Sequence, residues 1–444
     1  METKKLEEFD MRDDFSIPVF VGYELVEISG IKGVDPNSHH AGILTRKGGS
    51  TFLELADFPE KKDYISPNPS GVIVDHDDKV ANQDDVGNWY ASSWDGGLQF
   101  VFRDFFRINA SENFARNHFV GDTSKWRISD YSIVDKHLAD SKIKKATLSM
   151  DHVYSWFNFF RPEQDWANTK SIVFKDLCFE NQPFALVIGA NGKERHDLHI
   201  YQKTAYMTIS IEFDNPQARE FTYHLAVTLR NFLHIVMGKE VRINQIILNR
   251  DVVTNNSEDE SSSENVRENW FLEQSYLPES VNETNAHFNV PYHEIADKFN
   301  PILSQYLMNT KLQQFVGSYL TVDQFHTPVD TQIVTLVSAV ESYYSEARYS
   351  FPPKKIKNAK EKLARMAELV YDPNKLFNDD IRGSAGKVEE LIEEMVDARD
   401  YIVHGERSKK YTSEAELVPD LIIFKKLIRK AITQVGLLRV QRNN

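Results

Sequence analysis

The chain has 444 residues, 41% apolar and 12% aromatic, which excludes a disordered protein and leaves room for two or three domains, each with its own core. Its single cysteine, Cys178, excludes an internal disulfide or a cysteine-based zinc site and suits a reducing compartment. A net charge of -14 argues against a chain-wide nucleic-acid binder, but residues 330–444 carry 20 Lys and Arg against 18 Asp and Glu, or +2, leaving -16 on the first 329.

The first residues, Met1 to Asp14, are charged and lack the apolar stretch of a signal peptide. No apolar run elsewhere reaches membrane-spanning length, so the chain reads as soluble and cytoplasmic, without a membrane partner. Short β-prone runs follow at Tyr23 to Ile28, Ala41 to Arg46 and Thr51 to Leu55, the last two joined by a hairpin-like Lys47-Gly48-Gly49-Ser50. Gly71 to Val74 and Leu98 to Phe102 continue the pattern. Trp89, Trp94, Trp126 and Trp156 are dense enough to mark a ligand-binding face, although filling the core of a sandwich or barrel is the preferred expectation.

Gly189 to Lys193 lacks the spacing and the Ser/Thr of a P-loop and is expected to be a turn. His39 and His40 have no partners at metal-ligand spacing, so no metal is expected. Met207, Ile209, Ile211 and Phe213 alternate with polar residues, as in a strand with one buried face. Asn215 and Pro216 then read as a helix start, Phe221, Leu225, Leu229, Phe232 and Val236 as its apolar face, and Gly238 as its end. A strand around Val241 to Leu248 completes a β-helix-β unit. The polar, acidic run from Asn255 to Glu264 is expected to be a mobile loop or linker, with a domain boundary between it and Pro291.

From Tyr292 onward the periodicity is helical. A pair of helices spans Ile295 to Leu307 and Leu312 to Leu320. Thr331 to Ala347 places Ile333, Leu336, Val337, Val340 and Tyr344 on one stripe with Glu341 at its edge, and Ile356 to Val370 repeats the spacing. Lys387 to Gly405 and Leu421 to Leu438 complete a set that would bury its stripes as a bundle.

Within the helix from Lys387 to Gly405, Val388, Leu391, Ile392, Met395, Ile402 and Val403 recur at spacings of three and four and form one apolar stripe, with Arg399 in its middle. A guanidinium in that position needs an anion, because an unpaired buried charge costs several kcal/mol. A carboxylate of the chain or an external phosphate would serve. His404 lies roughly 140° further round the helix from Arg399, whereas Asp400 and His404 share a face. A carboxylate one turn away can fix the ring orientation and tautomer of an imidazole, and Gly405 supplies a left-handed stop. A group that moves protons near neutral pH would be well placed at such a helix end.

Arg399-Asp400-Tyr401-Ile402-Val403-His404 is an R-x4-H motif with a polar residue after the arginine, an aliphatic pair before the histidine and a glycine after it. It resembles the signature of HEPN-domain ribonucleases, and the chain as a whole is similar to the ApeA type of bacterial anti-phage protein. Ser149 to Phe157, closed by a Trp-Phe pair, resembles the N-terminal pattern of that type. The resemblance implies an α+β multidomain chain. Residues 1–285 would be a β-rich, ApeA-like sensor region, sandwich or barrel-like, with an acidic loop near 255–268, and residues 286–444 an all-α HEPN helical bundle.

The resemblance also implies a metal-independent endoribonuclease without cofactor, in which His404 transfers protons, Arg399 stabilises charge on the phosphorus and Asp400 orients His404. Glu341 and Tyr401 would support them, and Arg407, Lys409 and Lys410 would contact RNA, with transfer RNA anticodon loops as the expected target. Many family members carry Asn or His at the position of Asp400, and an added negative charge there disfavours phosphate. The expected partners are a second copy of the chain and a phage-derived protein trigger. Simpler roles stand beside these: an internal salt bridge from Arg399 to Glu341, a helix cap for His404, a helical module that binds without cutting, and a β-domain reader of carbohydrate or peptide with a helical dimerisation tail.

Overall fold

Residues of alternating character build the first half as strands, since successive side chains of a strand point to opposite faces and one set can be buried. The structure, a computed structural model, describes residues 5–28, 31–56, 87–111, 123–137, 142–157, 171–197, 200–255, 261–274, 287–325, 327–345, 356–370, 372–377, 387–405 and 413–437. In chain order the first strands are β1 (Phe15–Gly22), β2 (Leu25–Ile28), β3 (Ile31–Val34), β4 (His40–Lys47), β5 (Ser50–Leu55), β6 (Trp89–Ser93), β7 (Gln99–Ser111) and β8 (Thr123–Val134). The expected hairpin joins β4 to β5, with Gly48 at φ 56° and Gly49 at φ 84° in the left-handed region that a tight turn requires. Gly71 to Val74 lies outside the described residues.

Six strands close into an antiparallel barrel in the order β8-β5-β4-β1-β6-β7, and β7 returns to β8 to seal it. Val19, Val21, Leu44, Leu53, Trp89, Ala91, Phe100 and Phe102 point inward and are buried. β2 and β3 form a separate hairpin. Along the edge that β7 does not take, β8 is long enough to serve two partners: Ser124 to Ile128 pair with β5, and Asp130 to Val134 pair with the last strand of a second sheet.

That second sheet uses β9 (Ile143–Met150), β10 (Ile172–Phe179), β11 (Gln182–Asp197), β12 (Ile200–Gln217), β13 (Ile243–Asn255) and β14 (Ser261–Leu272), in the order β10-β11-β12-β9-β13-β14. A short helix, α1 (Val153–Phe157), follows β9, and the long α2 (Arg219–Met237) lies between β12 and β13. Leu225, Leu229, Phe232 and Val236 of α2 are buried as expected, and Gly238 ends the helix at φ 69° with its N–H on the His234 carbonyl.

Three local expectations are corrected. Asn215 and Pro216 belong to β12, and α2 is capped by Ala218. The pairing of β12 with β9 shifts register between Glu212 and Gln217, and such an irregularity tolerates a proline that cannot donate to the ladder. Gly189 to Lys193 is no turn but the middle of β11, paired from Gly189–Thr208 to Lys193–Thr204; the chain reverses several residues later, and the long partner strand overrides local turn preference. The two ends of the acidic run are strand: Asn255 pairs with Ser261, Thr254 with Ser262 and Val252 with Glu264 in the β13–β14 hairpin, and residues 256–260 lie outside the described residues.

A charged knot sits where β8 passes from barrel to sheet. The buried Glu268 of β14 accepts from Arg103 Nη2 at 2.8 Å, from Arg219 Nη2 at 2.7 and 2.9 Å, and from Ser132 Oγ, and it pairs with Arg250 at 2.9 Å. Burial opposes its ionisation, but Arg219, Arg103 and Arg250 outweigh that and hold its pKa down at about 2. Arg219 also lies 4.8 Å over the Trp270 ring. Neighbouring Asp130, which accepts from Trp270 Nε1 at 2.8 Å, has its pKa raised by burial.

The helical part comprises α3 (Tyr292–Ile295), α4 (Phe299–Met308), α5 (Thr310–Gln324), α6 (Val329–Tyr343), α7 (Ala359–Ala367), α8 (Val388–His404) and α9 (Glu414–Ala431), which continues as a π-helical turn from Ile432 to Leu437. Mixed α+β architecture, a barrel and sheet followed by helices, is therefore the fold. One apolar core runs through it. Trp156, Phe157, Tyr292 and Phe299 pack ring to ring with centroids 4.6 to 6.0 Å apart, Phe174 and Phe232 lie against Phe299, and Trp156 Nε1 donates to the Val290 carbonyl at 2.8 Å. Among the described residues no helix is long and apolar enough to cross a membrane.

Candidate active site

Apolar packing positions the motif. Ile333, Leu336, Val337 and Val340 of α6 are buried, as are Leu363 and Met366 of α7 and Leu421, Phe424, Leu427 and Ile428 of α9. Against them α8 buries Val388, Leu391, Ile392, Met395 and Ala398. The buried face stops there. Ile402 is half-buried and Val403 is 51% exposed, so the stripe read from the sequence is one turn too long. At the end of α8, Val403 and His404 are exposed.

Arg399 marks the transition. Its side chain is 17% exposed. Nη2 donates to Glu341 at the end of α6, Nη1 donates to Asp400 Oδ1 at 2.7 Å, and the buried Nε has no hydrogen-bond partner among the described residues. Two carboxylates thus hold one guanidinium, from a neighbouring helix and from the next residue. The internal salt bridge expected for Arg399 is present.

His404 is the last residue of α8 and is exposed; Gly405 follows at φ 72° with its N–H on the Tyr401 carbonyl at 2.8 Å. About 7.5 Å of helix rise separates His404 from Arg399. The Asp400 carboxylate turns to Arg399, and among the described residues no hydrogen bond joins it to His404. An ion pair to the adjacent guanidinium competes with the longer reach to an imidazole one turn on, and a charge-assisted bond is the stronger of the two. Tyr401 is half-buried on the same helix.

Arg407, Lys409 and Lys410, expected to meet RNA, lie outside the described residues, as do Lys354 and Lys355. Two basic residues of α9 are engaged inside the protein. Lys425 Nζ lies 3.5 Å from Asp323 Oδ1, and Arg429 donates from Nε and Nη2 to the side-chain oxygen of Asn289 at 3.0 and 3.2 Å. Among the described residues no group of three or more His, Cys, Asp or Glu stands ready to hold a metal ion.

Two features escaped the sequence reading. The knot around Glu268 draws on four separated strands and a helix start, which no short motif announces. Trp94, expected in the core with the other tryptophans, is 59% exposed, whereas Trp89 and Trp156 are buried at 2% each and Trp126 is half-buried. The signal was local: Trp94-Asp95-Gly96-Gly97 is a turn sequence, and a turn projects its side chains.

No curated protein and no solved structure matches the chain. A family model described as ApeA N-terminal domain 1 matches residues 99–306, from the start of β7 into α4. It takes in the closing strands of the barrel, the whole second sheet, α2 and the aromatic contact with the first helices. The chain therefore contains an ApeA N-terminal domain 1, and Arg399 and His404 lie beyond it on α8.

Proposed function

We propose that this is an anti-phage defence protein whose helical part is a metal-independent endoribonuclease of the HEPN type. The observation that carries the reading is the end of α8: a half-buried arginine held by Glu341, followed five residues on by an exposed histidine at the last position of the helix. Arg399 is aimed and rigid, and His404 is accessible. That division suits cleavage of a phosphodiester, where one group stabilises charge in place and another exchanges protons with the substrate.

In the reaction a base takes the proton of the ribose 2′-hydroxyl, and the freed oxygen attacks the adjacent phosphorus. The bond to the 5′-oxygen breaks, and an acid protonates that oxygen. The products are a 2′,3′-cyclic phosphate and a 5′-hydroxyl. Arg399 stabilises the negative charge on the phosphorane oxygens by forked hydrogen bonds. His404 transfers protons. One chain offers one such histidine, and it sits on a different face of α8 from Arg399, so a second copy of the chain supplies the partner group across a shared cleft. Asp400 occupies Arg399 Nη1 until a phosphate replaces it. The substrate is RNA, with transfer RNA anticodon loops the foremost candidate because single-stranded loops splay their bases into clefts. The N-terminal barrel and sheet act as the sensor, which a phage-derived protein relieves.

Purified wild type is expected to convert transfer RNA to fragments ending in cyclic phosphate once the trigger is present, with at least about a hundredfold loss in Arg399→Ala and in His404→Ala. Equal persistence of transfer RNA with all three proteins would refute the enzyme reading. The pairing of Arg399 with two carboxylates favours one alternative, a helical module that holds a nucleotide or protein without cutting it; in that case the variants would change binding and leave RNA intact.

A further inference from the structure

Residues 5–14, ahead of β1, belong to no sheet, yet part of this segment is buried where barrel and sheet meet. Leu6–Glu8 makes one 3₁₀ turn, and Leu6, Phe9 and Met11 are turned inward at 6%, 3% and 1% exposure. Phe9 meets Phe15 edge-on with centroids 5.5 Å apart, and Phe15 in turn meets Phe271 of β14. A strand would be held by its neighbour's backbone. This segment is held mainly by side chains.

Those side chains read its main chain. Gln245 Nε2 of β13 donates to the carbonyls of Glu7 at 2.9 Å and Phe9 at 2.6 Å, and Asn269 Nδ2 of β14 donates to those of Leu6 at 2.9 Å and Phe9 at 2.8 Å. Arg46 of β4 donates to the Met11 carbonyl from Nη2 and from Nε at 3.2 Å, and the Met11 N–H donates to the Asn244 carbonyl at 2.7 Å. Every residue carries the same carbonyl, so these contacts fix a backbone and leave the choice of sequence to the pockets. The pockets take an aliphatic residue, an aromatic one three positions on, and then Met11, whose sulfur accepts from Gln274 Nε2 at 2.9 Å. An arginine closes the pattern. Arg12 forks onto the buried Asp151, Nη1 to Oδ1 at 2.8 Å and Nη2 to Oδ2 at 2.9 Å, and Nη1 also donates to Asn244 Oδ1.

Asp151, Asn244, Gln245, Asn269 and Gln274 all lie within residues 99–306, the span matched as ApeA N-terminal domain 1, whereas the segment they hold lies outside it. The domain thus presents a shaped site for a polypeptide and fills it with residues from elsewhere in the chain. Asn269 and Arg46, at 1% and 2% exposure, would be left as donors without acceptors in an emptied and closed groove, which is costly. Exchange of one occupant for another avoids that cost. Because the segment adds no rung to the sheet, its release leaves the strand ladder intact.

We propose that this is a peptide-binding groove, occupied in cis by residues 6–12 and open to exchange with a polypeptide segment of a partner that carries the same pattern. That pattern is an aliphatic residue, an aromatic one at the third position after it, a methionine or leucine at the fifth and an arginine at the sixth. The segment in cis is the competitor that a partner must displace. The proposal rests on the geometry of the groove and stands apart from the nuclease reading of α8.

The test uses the full chain and a fluorescein-labelled peptide of residues 5–14, with a peptide of the same composition in scrambled order as control. A tethered segment competes at an effective concentration on the order of millimolar, so wild type is expected to bind the peptide only weakly. Phe9→Ala loosens the segment and leaves the groove whole. It is expected to bind the peptide at least about tenfold more tightly by anisotropy and to melt at a higher temperature in its presence, and Gln245→Ala added to Phe9→Ala is expected to lose both gains. Arg12→Ala, a milder loosening at a side chain that reaches the surface, gives the same readout where Phe9→Ala does not fold, as circular dichroism verifies. No binding by the loosened variants, binding no tighter than that of wild type, equal binding of the scrambled peptide, or binding indifferent to Gln245→Ala would each overturn the proposal.

Discussion

Glu268→Gln removes the one carboxylate that three arginines share at the junction of barrel and sheet. The glutamine keeps the shape but not the charge, leaving Arg103, Arg219 and Arg250 facing one another across a buried site. With the glutamate pKa at about 2 in the fold against an ordinary 4.5, the native state prefers the ionised form on the order of 3 kcal/mol more than the unfolded chain does. Because the folded value is the lower one, that stability is complete above pH 4.5 and lost as the pH falls towards 2. Asp130 works in the opposite sense, since burial raises its pKa, and offsets part of the acid limb. The diagnostic quantity is therefore the difference between wild type and variant. Urea unfolding at pH 7 is expected to show the variant about 3 kcal/mol less stable, with the gap narrowing between pH 4.5 and 2. A variant within about 1 kcal/mol of wild type at pH 7, or a gap that does not change with acid, would refute the account of Glu268 as the charge that holds the junction.

His137 is buried at 2% exposure, with no partner on either ring nitrogen among the described residues, and burial pushes its pKa down to about 4 from 6.5. Its contribution is complete above pH 6.5 and declines as the pH falls to about 4, so His137→Phe is expected to flatten the stability profile in that window by up to about 3 kcal/mol. Trp156→Phe, which leaves the Val290 carbonyl without its donor and a gap among Phe157, Tyr292 and Phe299, is expected to cost about 2 to 3 kcal/mol in the same assay. On the proposed nuclease reading, in which Glu341 aims the guanidinium, Glu341→Gln should lower the rate of RNA cleavage about tenfold with little change in KM, less than the loss in Arg399→Ala. A KM effect alone would reassign Glu341 to substrate binding.

Periodicity and glycine chemistry were legible along the chain because they are local. Alternation in Met207 to Phe213 gives a strand with Met207, Ile209, Ile211 and Phe213 buried, Gly48-Gly49 marks the β4–β5 hairpin, and Gly238 and Gly405 stop α2 and α8 in left-handed geometry. The position of Arg399 on the buried face of α8, and its need for an anion, follow from spacing alone. Glu341 could be named as its partner because it lies at the edge of the apolar stripe of a neighbouring helix, while Arg399 lies within its own.

What only the tertiary structure decided depends on pairing between distant segments. Whether the strands make a sandwich or a barrel rests on β7 returning to β8 and on β8 sharing itself between β5 and β14, and no residue of β8 records that division. Ser261 to Glu264 and Gly189 to Lys193 are strands because a long partner satisfies their backbone, against their own composition. Asp400 turns to Arg399 rather than to His404, and Val403 is exposed, although helical spacing places Asp400 on the face of His404 and Val403 on the apolar stripe. A sequence states which way a side chain prefers to face; only the packed chain states what is there to meet it.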